Sequence, residues 1–182
     1  MADIKRRTLI GAASLLAAGA GPQPADAYGF TMPSIDNDIV KLSAYRGRVL
    51  LVVNTASFCG FTPQYKSLEA LYSELGPSGL TVLGVPSQDF NQEYGTNGQV
   101  AAFCKATFDV TFPMAGISHV TGDSALPFYQ WVRTTQNGWQ PTWNFCKVLI
   151  GRDGKIAGTF VSRDTPDGPK LRGAIETALK SV

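Results

Sequence analysis

Three cysteines and one histidine are the only thiol and imidazole groups in this 182-residue chain: Cys59, Cys104, Cys146 and His119. They form no Cys-x-x-Cys pair, and a lone histidine among scattered cysteines has no zinc-ligand spacing. Where a Cys-x-x-Cys motif would close, the chain reads Cys59-Gly60-Phe61-Thr62. Thr62 and Pro63 form a helix-start signal, Thr62 as cap and Pro63 in the first turn. Unpaired backbone N–H groups and the dipole of a helix N-terminus favour a thiolate just ahead of it, so Cys59 is a candidate nucleophile. Gly60 lets a small ligand approach the backbone closely. Cysteines in cores are commonly inert packing residues; the loop position and missing partner argue against that for Cys59. His119, after Gly116-Ile117-Ser118, reads as a strand-edge residue rather than a catalytic base.

Two buried strands must hold this loop. Val49 to Val53 is a continuous apolar run, as expected for a strand covered on both faces of a parallel sheet. Tyr65, Leu68, Leu71, Tyr72 and Leu75 then recur at helical spacing until Gly76-Pro77, and Leu80 to Val85 is the second strand. Strand, helix and strand make one right-handed βαβ unit. Helices are expected over Asn97–Thr107, Leu126–Thr134 and Pro169–Leu179. Cys146 to Phe160 reads as a β-hairpin turning at Asp153-Gly154. The sum is an α/β domain with a central mixed sheet flanked by helices, the layering of a thioredoxin-like fold. The Cys59 loop and the loop Pro86 to Gly95 follow neighbouring parallel strands, where open α/β sheets place their sites.

Size and a formal net charge of +2 suit one globular domain. The body has no basic run or aromatic-interleaved basic patch, which argues against nucleic acid as a partner. The segment 1–27 differs from the rest: a basic start, an apolar stretch from Leu9 to Ala20, and Ala25-Asp26-Ala27 as an A-x-A cleavage site. That order marks an export signal cleaved before Tyr28, leaving 28–182 as the domain. Arg6-Arg7 followed by Thr8-Leu9-Ile10 resembles a twin-arginine signal, so the bacterial periplasm is the expected location. The stretch is too short and too rich in Gly and Ala for stable membrane insertion. Export implies an oxidising compartment, where unpaired cysteines rarely persist by accident.

Three ordered stretches, "VVNTASFCGFTPQYKSLEALY", "LGVPSQDFNQEYG" and "WNFCKVLIGRDG", resemble the motifs of the glutathione peroxidase family. The resemblance runs over essentially all of residues 28–182. It implies a thioredoxin-like fold and reduction of hydrogen peroxide and organic hydroperoxides by a thiol cycle, without metal or organic cofactor. Cys59 matches the peroxide-reducing position, and Trp143 and Asn144 match the family's Trp and Asn, hydrogen-bond donors toward the sulfur. Cys104, in "VAAFCKATFDVTFP", matches the resolving cysteine of thioredoxin-using members. A Cys59 sulfenic acid would condense with it to a disulfide, for a thioredoxin-like protein to reduce. If Cys104 lies on a helix, that helix must unwind locally. Cys146 falls at a small-residue position and is expected to be inert.

The departure lies in the second motif. Gln88-Asp89-Phe90 stands where the family reads Asn-Gln-Phe, so Asp89 occupies the active-site Gln position. Ser87 replaces a common cysteine, and one residue is missing before Gln92-Glu93. An ionised Asp89 cannot donate a hydrogen bond and would repel a thiolate. Either Asp89 is protonated or turned away, or Gln88 or Gln92 supplies the amide. The short stretch between His119 and Trp143 lacks the long insertion of tetrameric members, which implies the monomeric branch. No basic cluster marks a glutathione pocket, so glutathione is expected to be a poor reductant. A peroxide sensor or relay passing its disulfide to a partner needs the same two cysteines. A thiol–disulfide exchange protein is disfavoured by Thr62 in place of a second cysteine.

Overall fold

The apolar run at Val49 becomes β3 (Val49–Thr55), whose seven residues are all buried. In a computed structural model describing residues 24–181, β3 lies inside a four-stranded sheet ordered β4-β3-β5-β6. It pairs in parallel with β4 (Leu80–Pro86) and antiparallel with β5 (Lys147–Ile150), which forms a hairpin with β6 (Ile156–Phe160). A smaller antiparallel hairpin, β1 (Thr31–Pro33) and β2 (Ile39–Lys41), precedes them; the sequence patterning carried no sign of it. The mixed sheet and its helices are those of a thioredoxin-like α/β fold.

Successive β3 side chains point to opposite faces, so one apolar run serves two cores. Val49, Leu51 and Val53 pack with Tyr65, Leu68 and Leu71 of α1 (Gln64–Leu75), Val100 and Cys104 of α2 (Asn97–Phe108), and Leu171 and Ile175 of α4 (Pro169–Lys180). Leu50 and Val52 face the other way, onto Phe128, Trp131 and Val132 of α3 (Pro127–Thr135) and onto Phe30, Met32 and Leu42. The helices thus lie where their apolar spacing put them, within one or two residues.

Two local expectations are corrected. Thr62 does not cap α1, which starts after Pro63 without a side-chain cap. Its hydroxyl instead donates to Ala56 O at 2.8 Å and accepts from Cys59 N–H at 3.0 Å, bracing the preceding loop. A hydroxyl so engaged is not available to the helix. His119 is not on a strand: the chain bridges to Gly84 through Met114 and donates from Ser118 N–H to Pro86 O, and His119 lies in the loop just beyond. The basic and apolar parts of the expected export signal lie outside the described residues. Its expected cleavage point falls beside Ala27, which is buried and donates from its N–H to Gly154 O.

Lys147, in β5, is fully buried and has no carboxylate ion-paired to it among the described residues. Its ammonium donates to Gln64 Oε1 (2.7 Å), Asp164 O (2.7 Å) and Ser162 O (3.4 Å), fastening the first residue of α1 to the chain beyond β6. Burial pulls its pKa down to about 8, against opposing effects of Cys146 and Asp164. Between pH 8 and the ordinary value of 10.5 the unfolded chain holds a proton that the folded chain has released, so stability rises with pH there. Lys147→Met is expected to flatten this rise relative to wild type, and to lower stability at neutral pH by about 1–3 kcal/mol through the orphaned acceptors. Denaturant titrations from pH 7 to pH 10 check both.

Candidate active site

β3 and β4 run parallel, so the loops leaving their carboxyl ends, Ala56–Pro63 and Ser87–Thr96, lie side by side. They are joined by hydrogen bonds from Phe58 N–H to Gln92 O (2.9 Å) and from Ser57 N–H to Glu93 Oε1 (3.2 Å). Cys59 sits in the first loop, only 7% exposed, as a free thiol. Its Sγ accepts the N–H of Phe61 at 3.4 Å, the type of donor an anionic sulfur needs. Aromatic side chains surround the loop: Phe58, 56% exposed, meets Tyr94 edge-on at 4.5 Å, and Trp143, 41% exposed, lies against Phe90 at 5.4 Å.

The third segment reaches this corner through Asn54, buried near the end of β3. Asn54 Nδ2 donates to Trp143 O (3.0 Å), Phe145 N–H donates to Asn54 O (2.6 Å), and Asn54 N–H donates to Cys146 O (3.2 Å). Phe145 takes a positive φ of 63°, a turn that redirects the chain between Asn144 and β5. Asn144 is completely buried, and its Nδ2 donates to Gln92 Oε1 at 2.8 Å. The sequence-predicted residues Cys59 and Asn144 are thereby linked through Gln92, whose backbone holds the Cys59 loop and whose side chain holds Asn144. With Oε1 occupied, Gln92 keeps its amide hydrogens as donors.

Asp89 and Gln88 are engaged elsewhere. Asp89 Oδ1 meets His119 Nδ1 at 2.6 Å, and Oδ2 accepts from Val120 N–H (2.7 Å) and Thr121 N–H (3.1 Å). Burial would raise its carboxyl, but these bonds together outweigh it and hold the pKa below the ordinary value. Gln88 Nε2 donates to Glu93 O (2.5 Å) and Tyr94 O (2.9 Å), clasping the loop onto itself. The loop is one residue shorter than the motif it resembles. With Asn91 turning at a φ of 55°, it delivers Gln92 to Asn144 instead.

Cys104 occupies the inner face of α2, 2% exposed, in the same core cluster as Cys59 and Tyr65. Burial pushes its thiol up to about 11; the Tyr65 hydroxyl draws it down somewhat and the Glu93 carboxylate adds to the rise. Cys146 is buried, its sulfur 3.8 Å from Ser162 Oγ. Among the described residues there is no group of three His, Cys, Asp or Glu side chains able to hold a metal ion, and no helix is long and apolar enough to cross a membrane.

Residues 27–133 match the glutathione peroxidase family. The chain belongs to that family. It is 40% identical over 150 residues to a hydroperoxy fatty acid reductase of Synechocystis sp., spanning 77% of this chain and 89% of that protein. Against the glutathione peroxidase-like peroxiredoxin of Schizosaccharomyces pombe the identity is 41% over 148 residues, with 79% and 92% covered. The crystal structure of Trgpx in its apo form is 38% identical and superposes with a TM-score of 0.69, covering 86% of this chain and 97% of that one. A thiol:disulfide interchange protein from Chlorobium tepidum, at 18% identity and a TM-score of 0.62 over 89% and 99% of the two chains, shares the fold. As a member of the glutathione peroxidase family, the chain is an oxidoreductase acting on peroxides.

Three side chains that matter to this corner carried weak signals in the sequence. Gln92 was one of two glutamines the sequence offered in place of Asp89, and Glu93 and Lys147 gave no signal, since buried charge is invisible without tertiary contacts. The Asp89 bonds give a pH dependence. Its depressed carboxyl contributes stability that is present above the unfolded value of about 3.8 and lost as pH falls through the lower folded value. Asp89→Asn is expected to weaken the protein at neutral pH and to reduce its loss of stability between pH 5 and pH 2, as measured by urea unfolding.

Proposed function

We propose that this peroxidase reduces hydrogen peroxide and organic hydroperoxides at Cys59, that Cys104 resolves the oxidised sulfur, and that a thioredoxin-like protein restores the dithiol. The observation that carries the reading is the pair of free thiols in one core cluster, the first in a loop tied to Gln92 and Asn144. The Cys59 thiolate attacks the O–O bond; an S–O bond forms, the O–O bond breaks, and the departing oxygen leaves as water or an alcohol after taking a proton. Sulfur is oxidised to the sulfenic acid and the peroxide is reduced. In this reading the Phe61 N–H, the Gln92 amide and the Trp143 indole N–H supply the donors around sulfur and oxygen, with Asn144 aligning Gln92. The aromatic rim of Phe58, Trp143 and Phe61 suits the apolar tail of an organic hydroperoxide, in keeping with a relative named for hydroperoxy fatty acids.

Cys104 then displaces the oxygen of the sulfenic acid, forming a Cys59–Cys104 disulfide and water. This requires the part of α2 around Cys104 to open, since its carbonyl accepts from Val110 N–H at the helix end. The resulting disulfide suits a protein dithiol reductant, as the relative named a peroxiredoxin suggests. The enzyme works as a monomer, exported by a twin-arginine signal to the bacterial periplasm.

Coupled peroxide consumption tests the cycle. Cys59→Ser is expected to abolish turnover, and Cys104→Ser to allow one turnover per molecule but lose thioredoxin-driven cycling. Gln92→Ala slows sulfenic acid formation about 100-fold, the usual loss on removing a transition-state donor. Full activity in Cys59→Ser would overturn the mechanism, and unimpaired thioredoxin cycling in Cys104→Ser would remove the resolving role. N-terminal sequencing of the exported protein is expected to begin at Tyr28.

A further inference from the structure

Beside the Cys59 loop lies a pocket of about 480 Å³, a volume in the range of small-molecule sites. Its apolar lining is Phe61, Trp143 and Val161, and its charged lining is Arg163, Asp164 and Lys170. Phe61 links the pocket to the reacting sulfur, because its N–H donates to Cys59 Sγ at 3.4 Å. Trp143 and Val161 are both exposed, so apolar surface next to the thiol is left in water.

The stretch that carries the charges is held from the core. Lys147 Nζ donates to Asp164 O (2.7 Å) and Ser162 O (3.4 Å), and Gln64 Nε2 donates to Ser162 O (2.7 Å). Asp164 N–H donates to Val161 O at 3.0 Å, and Asp164 Oδ2 accepts from Val161 N–H at 3.0 Å. Arg163 thus stands on a closed turn between two pinned residues. Its exposed guanidinium makes no ion pair among the described residues. Lys170 Nζ lies 2.9 Å from Asp164 Oδ2, so the one carboxylate of the lining offsets one cation. Arg163, with the ammonium of Lys147 behind the turn, leaves the pocket net positive. Lys147 adds its charge from a distance, since its hydrogens are already committed.

We propose that this pocket is a subsite for organic hydroperoxides that carry a carboxylate, with the apolar chain on Phe61, Trp143 and Val161 and the carboxylate on Arg163. The inference rests on Cys59 being the peroxide-reducing thiol, as proposed above, and names the substrate class that site prefers: ionised hydroperoxides of long-chain carboxylic acids. A guanidinium presents a planar fork of N–H donors that matches a carboxylate, and holding its backbone in advance lowers the cost of ordering it. Asp164 would repel the incoming anion, but its Oδ2 is already engaged by Lys170 and by Val161 N–H. A neutral hydroperoxide of the same length gains the apolar contact without the ion pair, and hydrogen peroxide gains neither. The carboxylate is not consumed; the chemistry at the O–O bond is that of the other peroxides.

Single-turnover oxidation of the reduced protein by linoleic acid hydroperoxide and by its methyl ester, each kept below micelle formation, tests the subsite. Wild type is expected to react about tenfold faster with the free acid, the scale of one charge-assisted hydrogen bond. Added salt should shrink that advantage. Arg163→Gln should bring the acid-to-ester ratio close to one, and Arg163→Glu should take it below one. Each variant is compared with wild type on the same two substrates, so differences in solubility cancel. A wild-type ratio of one, a ratio that survives in both variants, or equal slowing with acid, ester and hydrogen peroxide would overturn the subsite. Glutathione-driven turnover that is lost in Arg163→Gln, with an acid-to-ester ratio of one, would also overturn it and assign the pocket to a reductant's carboxylates. Failure of hydrogen peroxide to oxidise Cys59 would overturn the underlying reading instead, and is seen separately because that substrate does not use the pocket.

Discussion

Asn54 is the constraint on which the active corner depends. It is buried at the end of the one strand that pairs with two others in opposite senses, and it holds Trp143, Phe145 and Cys146 by backbone and side chain. The parallel neighbour β4 brings the Gln92 loop to the same end, and the antiparallel neighbour β5 brings Asn144 in from the opposite direction. Neither arrangement alone would assemble the site. A mixed sheet with β3 inside it does so with short connections.

Polar groups at this corner are satisfied unevenly, and the unevenness separates framework from chemistry. Asp89 makes three hydrogen bonds, Gln88 two and Lys147 three. Their donors and acceptors are occupied in holding loops, so little is left for a substrate. Gln92, Asn144 and Glu93 each bind through one part of the side chain and keep another part unengaged. A buried polar atom with no partner is a cost to the fold, and Asn144 Oδ1 and Glu93 Oε2 carry that cost here.

Much of the architecture was legible because apolar spacing is a local property. The all-buried run of β3, the helical recurrence from Tyr65 to Leu75 and the Asp153-Gly154 turn each identify their element, and the observed bounds differ by a residue or two. The hairpin β1–β2 escaped because three-residue strands offer too little alternation to register. Thr62 misled because a hydroxyl beside a helix start can bond backward as readily as forward, and only the surrounding loop selects. His119 misled because its setting depends on Asp89, thirty positions away.

Cys59, Cys104, Trp143 and Asn144 were identifiable as candidates from their types and motifs, since thiol and donor chemistry belongs to the residues themselves. How the side chains of the second loop are engaged was not, because a shortened loop can turn them either way, and the motif left Asp89, Gln88 and Gln92 open. The outcome was decided by tertiary contacts: the carboxylate found backbone N–H groups and an imidazole near the 119–121 loop, and Gln92 found Asn144. The amino-acid sequence by itself determined the elements and the reactive atoms, through local periodicity and side-chain chemistry. Tertiary structure alone decided which polar groups face those atoms, because burial and long-range hydrogen bonds select among orientations the chain leaves equally open.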